Sequence, residues 1–117
     1  MRPYPDVVII GAMKAGTSSV YDHLTEHPRI RGATRKEVHY LDMHFDRGRR
    51  WYRAQFPARF DAGAWLAVEA TPMYLSWPYS AERFAQVPTD ARFVVMLRDP
   101  VDRAASQWKQ RTREGRE

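Results

Sequence analysis

Residues 11–19 of this 117-residue sequence, Gly-Ala-Met-Lys-Ala-Gly-Thr-Ser-Ser, combine residue types that could bind phosphate groups. They follow a β-branched run at residues 7–10 and precede apolar residues at helical spacing. Glycine permits a tight turn whose backbone N–H groups point at phosphate oxygens, and the N-terminus of a following helix adds partial positive charge. The predicted phosphate-binding residues are Lys14, Ala15, Gly16, Thr17, Ser18 and Ser19.

The loop differs from the nucleoside-triphosphate pattern G-x-x-x-x-G-K-[ST]. Thr17 occupies the lysine position of that pattern, and the lysine comes earlier, at Lys14. One cation in mid-loop with three hydroxyls suits a phosphosulfate without a metal better than it suits Mg-ATP. The alternative is an ordinary glycine turn with an exposed lysine.

A second anion site is predicted after the apolar run at residues 93–97. Arg98 would project from the carboxyl end of that strand into the crevice where α/β sheets bind ligands, and arginine can clamp a phosphate with two hydrogen bonds. Ser106 lies about two helical turns further on. The alternatives are a surface salt bridge of Arg98 with Asp99 or Asp102, and simple packing of Ser106.

Residues 36–42, Lys-Glu-Val-His-Tyr-Leu-Asp, offer acid–base chemistry. The segment is short and could be a strand end or a loop. Glu37 and His39 alternate, so in an extended backbone they share one face. A carboxylate and an imidazole together could deprotonate an acceptor, and either could be the base. The alternative is a solvated polar strand edge.

These segments, together with Glu-Ala-Thr-Pro-Met-Tyr at residues 69–74, resemble sulfotransferases that use 3′-phosphoadenosine 5′-phosphosulfate (PAPS). The resemblance is to the branch containing the heparan sulfate sulfotransferases and their bacterial relatives. It implies that Lys14 contacts the bridging oxygen of the phosphosulfate and that residues 16–19 cradle the 5′-phosphate. It also implies that Arg98 and Ser106 bind the 3′-phosphate.

On the acceptor side, the resemblance implies that Glu37 is the general base, supported by His39 and Asp42. Glu69 would lie near the acceptor. Two departures from the branch pattern fit a divergent bacterial-type member: Ala70 replaces a common lysine, and Ser18 replaces a common arginine.

The implied function is transfer of a sulfuryl group from PAPS to a hydroxyl or amine of a glycan or small molecule, with 3′,5′-ADP as product and no metal. One alternative is a truncated, non-catalytic module that binds PAPS or 3′,5′-ADP. The other is a P-loop kinase.

The elements that must position these residues alternate between strands and helices. Strands are predicted at residues 7–10, 66–69 and 93–97, and helices begin near residues 17, 51 and 80. The pattern indicates an α/β fold, a P-loop-containing nucleotide-hydrolase-like parallel sheet flanked by helices. Three strands are few for such a sheet, so residues 1–117 are predicted to form one incomplete sulfotransferase domain.

Composition narrows the remaining possibilities. The sequence has no cysteine, which excludes disulfides and thiolate metal sites, and no metal-ligand cluster is evident. No apolar run is long enough to cross a membrane and no signal peptide is apparent, so a cytoplasmic location is predicted. The net charge of +5 suits an anionic ligand, but the basic residues are dispersed among acids, which argues against nucleic acid. The sequence does not predict an oligomeric state.

Overall fold

The computed structural model describes residues 2–13, 15–59, 64–97 and Trp108. The strands are β1 (Val7–Gly11), β2 (Ile30–Gly32), β3 (Leu66–Ala70) and β4 (Arg92–Val95). The helices are α1 (Thr17–Thr25), α2 (Gly48–Ala54) and α3 (Ser80–Phe84), with 3-10 turns at Phe45–Arg47 and Pro72–Leu75. The strands form one parallel sheet in the order β2-β3-β1-β4, so the predicted α/β fold is confirmed.

The strand β2 is absent from the sequence-based prediction, which placed strands only at residues 7–10, 66–69 and 93–97. That prediction was wrong because Ile30–Gly32 pairs in parallel with the first residues of β3. A three-residue segment with one apolar side chain carries too little pattern to mark a strand. Its conformation is fixed by hydrogen bonding to a neighbour that follows much later in the chain.

The two faces of the sheet bury different kinds of side chain. Because side chains alternate along a strand, Ala67 and Glu69 of β3 share one face, and Val68 and Ala70 share the other. The face with Ala67 packs on an aromatic cluster, and the face with Val68 packs on α1. The buried aromatic residues of the first cluster are Tyr40, Tyr52, Phe56, Trp65, Tyr74 and Phe84.

The strand order places the loop after β1 at a ligand-binding position. β1 lies between β3 and β4, so the chain crosses from one side of β1 to the other between those strands. Parallel sheets bind ligands at the carboxyl ends of strands where the order reverses in this way. The base of the loop is fixed there, because Ala12 N donates to Met96 O at 2.8 Å and Met96 N donates to Gly11 O at 2.7 Å.

Candidate active site

The predicted phosphate loop leads directly into the N-terminus of α1. Gly16 has a left-handed backbone with φ 84°, a conformation that glycine adopts without strain. Val20 N donates to Gly16 O at 3.2 Å, which is the first backbone hydrogen bond of the helix. The N–H groups of residues 17–19 precede it and have no acceptor within the helix. They and the helix dipole form an end suited to an anion.

A cavity of about 270 Å³ brings this helix end together with the predicted acid–base pair. The loop and α1 supply one side, and Glu37 and His39 lie on the same cavity. Its lining residues are Met13, Gly16, Thr17, Ser18, Ser19, Glu37, His39, Pro72 and Met73. Anion-binding groups and a candidate base therefore share one space.

The loop residues differ in how much they expose. Ser18 and Ser19 are exposed, whereas Ala15 and Thr17 are buried. The hydroxyls of Ser18 and Ser19 are thus the more accessible donors on this side of the cavity. The predicted roles of Lys14, Arg98 and Ser106 concern residues that lie outside the described part of the chain.

Glu37, His39 and Asp42 form a hydrogen-bonded row. His39 Nε2 lies 2.9 Å from Glu37 Oε1, and His39 Nδ1 lies 2.8 Å from Asp42 Oδ2. The exposed fractions of these side chains fall from 45% for Glu37 through 25% for His39 to 3% for Asp42. Because both imidazole nitrogens contact carboxylates, the outer carboxylate of Glu37 is the group best placed to meet an acceptor.

The backbone that creates this row is a turn and not a strand. Of the strand end and the loop that the sequence leaves open for this segment, the structure has the loop, since His39 has φ 55°, in the left-handed region. The N–H groups of Met43 and His44 both donate to His39 O, at 3.1 and 2.9 Å. Glu37 and His39 still meet, but the turn brings them together and also brings Asp42 to the other ring nitrogen.

Glu69 lies in β3, beneath this turn. Its side chain is fully buried, and its carboxylate accepts hydrogen bonds from the hydroxyls of Tyr52, Thr71 and Tyr74, the last two at 2.6 Å. Burial raises the pKa of the Glu69 carboxyl, and the three hydroxyl donors oppose that rise.

The sequence analysis predicts that Glu69 lies near the acceptor, and the structure places its side chain below the cavity surface. In the described part of the chain, Glu69 is not among the residues that line the cavity, because its carboxylate faces the aromatic core. The hydroxyls of Thr71 and Tyr74, to which the sequence analysis gave no role, connect it to the turn. No local sequence signal distinguishes them from ordinary polar residues, since the connection is purely tertiary.

The described residues lack two further kinds of feature. They contain no group of three or more His, Asp or Glu side chains placed to hold a metal ion. Among them, no helix has the length and hydrophobicity needed to cross a membrane.

Known proteins that are similar to this chain are named as sulfotransferases. No protein-family profile matches the chain. The chain is 35% identical over 109 residues to human heparan sulfate glucosamine 3-O-sulfotransferase 3B1, covering 93% of this chain and 27% of that protein. It is 34% identical over 105 residues to the membrane-associated sulfotransferase kil1 of Dictyostelium discoideum, covering 89% of this chain and 22% of that protein.

A solved structure extends the similarity to the fold. The crystal structure of a sulfotransferase from Alicyclobacillus acidocaldarius matches with a TM-score of 0.81 and 32% identity, covering 98% of this chain and 53% of that chain. The chain thus spans about a quarter of the two curated relatives and about half of the solved structure. Over the part of the fold that it spans, the chain is similar to sulfotransferases in both sequence and structure.

Proposed function

We propose that the protein carrying this chain transfers a sulfuryl group from PAPS to a hydroxyl or amine of an acceptor, either a glycan or a small molecule. The observation that carries the proposal is the shared cavity, which is lined by the N-terminus of α1 and by Glu37 and His39. A sulfotransferase needs these two functions side by side, one for the anionic donor and one for the acceptor's proton. The relatives, which are named as sulfotransferases, support the same reaction.

The donor side of the cavity suits the 5′-phosphosulfate. PAPS, when bound, supplies an activated sulfuryl group whose transfer leaves negative charge on the departing phosphate oxygen. The N–H groups of residues 17–19 and the hydroxyls of Ser18 and Ser19 are the described donors that would hold that charge. The proposed contacts of Lys14 with the bridging oxygen, and of Arg98 and Ser106 with the 3′-phosphate, follow from the family resemblance.

On the acceptor side, Glu37 accepts the proton that the acceptor hydroxyl or amine loses as it attacks sulfur. Its exposure and its place on the cavity support this role over His39, whose two ring nitrogens already contact carboxylates. His39 orients the Glu37 carboxylate, and Asp42 orients His39. The acceptor gains the sulfuryl group, and the proton remains on the Glu37 side chain until solvent removes it.

The test measures sulfate transfer from labelled PAPS by the full-length protein whose reading frame contains these residues. Glu37→Gln keeps the size of the side chain but removes its basicity, so kcat should fall about 10²- to 10⁴-fold. The matched control is Glu26→Gln, at an exposed position after the other end of α1. Both variants should bind 3′,5′-ADP as the unsubstituted protein does.

Each other outcome points to a different conclusion. Equal turnover in the Glu37 and Glu26 variants would remove Glu37 as the base. Binding of 3′,5′-ADP no tighter than 5′-AMP would remove the assignment of Arg98 and Ser106 to the 3′-phosphate. Tight 3′,5′-ADP binding without turnover would favour a non-catalytic module, and turnover of Mg-ATP would favour a kinase.

A further inference from the structure

The buried carboxylate of Glu69 is the feature that the proposed reaction does not use. It is fully buried, and the contacts described for it come from the hydroxyls of Tyr52, Thr71 and Tyr74. None of the ion pairs among the described residues includes it. Removing a carboxylate from water is unfavourable unless its oxygens receive hydrogen bonds, so a residue in this position needs these three donors.

Two of the three hydroxyls join the carboxylate to the backbone of the turn. Tyr74 Oη accepts from Tyr40 N at 2.8 Å and from Leu41 N at 3.4 Å, and Thr71 Oγ1 accepts from His39 N at 3.3 Å. A hydroxyl has one proton to donate. Because each proton points at the carboxylate, the oxygen lone pairs face the backbone N–H groups. The carboxylate therefore fixes the direction of both bridges.

The segment held by these bridges carries the acid–base row. His39 has the left-handed φ of 55°, which is unfavourable for a non-glycine residue and persists only when its surroundings hold it. Other contacts also hold the segment, since Arg83 Nη1 donates to Leu41 O at 2.6 Å and Asp42 Oδ1 accepts from Met43 N at 2.9 Å. The hydroxyls of Thr71 and Tyr74 accept from the three consecutive N–H groups at residues 39–41.

We infer that Glu69 is a positioning residue for the reaction. Through the hydroxyls of Thr71 and Tyr74 it fixes the backbone of residues 39–41 and thereby holds His39 and Glu37 over the cavity. The inference rests on the proposed function in assigning proton transfer to Glu37. It gives Glu69 an indirect role beside the place near the acceptor that the sequence predicts for it.

Tyr74→Phe and Tyr52→Phe form a matched pair for testing this. Each removes one hydroxyl from the same buried carboxylate and keeps the ring, but only the Tyr74 hydroxyl also contacts the turn. Thr71→Val removes the other bridge and serves as a second variant if Tyr74→Phe does not fold. The measurements, on the full-length protein, are amide hydrogen exchange at residues 39–41 and the separate kcat and KM values for labelled PAPS.

We expect Tyr74→Phe to accelerate exchange at residues 39–41 on the order of tenfold relative to Tyr52→Phe, with β1 and β3 unchanged. We expect its kcat to fall on the order of tenfold to hundredfold with little change in KM for PAPS, because the base is misplaced while the donor site is intact. Tyr52→Phe should keep most of its kcat. Equal exchange and equal kcat in the two variants would overturn the inference.

The exchange measurement also separates this inference from the proposed function. If the unsubstituted protein transfers no sulfate, the proposed reaction fails, yet the exchange at residues 39–41 still shows whether the hydroxyls that bridge Glu69 to the turn hold it. Rapid exchange confined to those residues in Tyr74→Phe and Thr71→Val supports the connection. Unchanged exchange in both variants refutes it, whatever the activity.

Discussion

Asp42 is the innermost member of the acid–base row, and its two oxygens have different partners. Oδ2 contacts His39 Nδ1 at 2.8 Å, and Oδ1 accepts from its neighbour Met43 N at 2.9 Å. The second contact fixes the carboxylate on the turn, so the first fixes the rotation of the imidazole. The side chain is nearly buried, which keeps water from competing for His39. Asp42 thereby orients His39 toward Glu37 without reaching the cavity.

Replacing Asp42 by asparagine tests this orientation. Asp42→Asn keeps the shape but removes the charge, and its amide can present N–H instead of oxygen to His39 Nδ1. The imidazole then loses the partner that fixes its tautomer, and we expect kcat to fall on the order of 10²-fold. KM for PAPS should change little, because the donor contacts lie on the loop and α1. Steady-state kinetics with labelled PAPS measure both constants.

Asp46→Asn is the matched control, since Asp46 is exposed on the 3-10 turn that follows. It should leave kcat within about twofold, as exposed substitutions away from a site do. If Asp42→Asn behaved like Asp46→Asn, the orienting role of Asp42 would be wrong.

At the scale of elements, α1 makes a close approach to the edge of the sheet at Gly32. The hydroxyl of Tyr21 in α1 lies so near Gly32 in β2 that a Cβ added at Gly32 would be 1.8 Å from Tyr21 Oη and 2.7 Å from Tyr21 Cζ. Tyr21 itself is buried in the cluster beneath α1. The glycine therefore allows the helix that carries the phosphate loop to lie directly on the sheet edge.

Gly32→Ala should destabilise the fold because the Tyr21 ring must move out of its packed position. We expect a loss of about 1–3 kcal/mol in the free energy of unfolding, the usual cost of overpacking. Urea unfolding of the single variants and of Gly32→Ala/Tyr21→Phe measures the coupling between the two positions. Removing the hydroxyl relieves the shortest contact, so the double variant should lose less than the sum of the single variants. A strictly additive result would contradict this packing.

Elements with strong local patterns were predictable from the sequence, and those fixed by tertiary contacts were not. The β-branched run before Gly11 and the apolar run at residues 93–97 predicted β1 and β4 within two residues. The strand β2 has no such pattern, and the turn at His39 depends on bridges from Thr71 and Tyr74.

The same distinction applies to the candidate site. The Glu37–His39 pair could be predicted because its members are close in sequence, although they meet through a turn and not through an extended backbone. The burial of Glu69 could not be predicted, since glutamate is mostly exposed and only the assembled aromatic cluster encloses it. The roles of Lys14, Arg98 and Ser106 remain predictions.

At the scale of the whole molecule, the net charge affects how an anionic donor approaches, and the buried carboxylate of Glu69 affects folding stability. The net charge of +5 gives a positive field that would favour approach of an anionic donor and would weaken with salt. Glu69 instead affects folding stability, because it is ionisable and buried. The groups around it are the hydroxyls of Tyr52, Thr71 and Tyr74, and the nearby charge of Asp42 also raises its pKa. No described cation is paired with it.

The raised pKa of Glu69 predicts a specific dependence of stability on pH. In the window between its ordinary value of 4.5 and its raised folded pKa, the folded state binds more protons at this site than the unfolded state does. The contribution of Glu69 to the free energy of unfolding therefore falls as pH rises through that window and is constant above it.

Glu69→Gln isolates this contribution. Its amide oxygen can replace the oxygen that accepts from Thr71 and Tyr74, and its NH₂ can donate to the hydroxyl of Tyr52, so the packing is kept while the ionisation is removed. Urea unfolding of both proteins across pH 4 to 8 gives the difference in stability at each pH. We expect the stability of Glu69→Gln relative to the unsubstituted protein to rise as pH increases from 4.5 to the raised pKa of Glu69. The reason is that only the unsubstituted protein must ionise a buried carboxyl. A difference that stays constant with pH would show that Glu69 titrates alike in the folded and unfolded chains, and burial would then not raise its pKa.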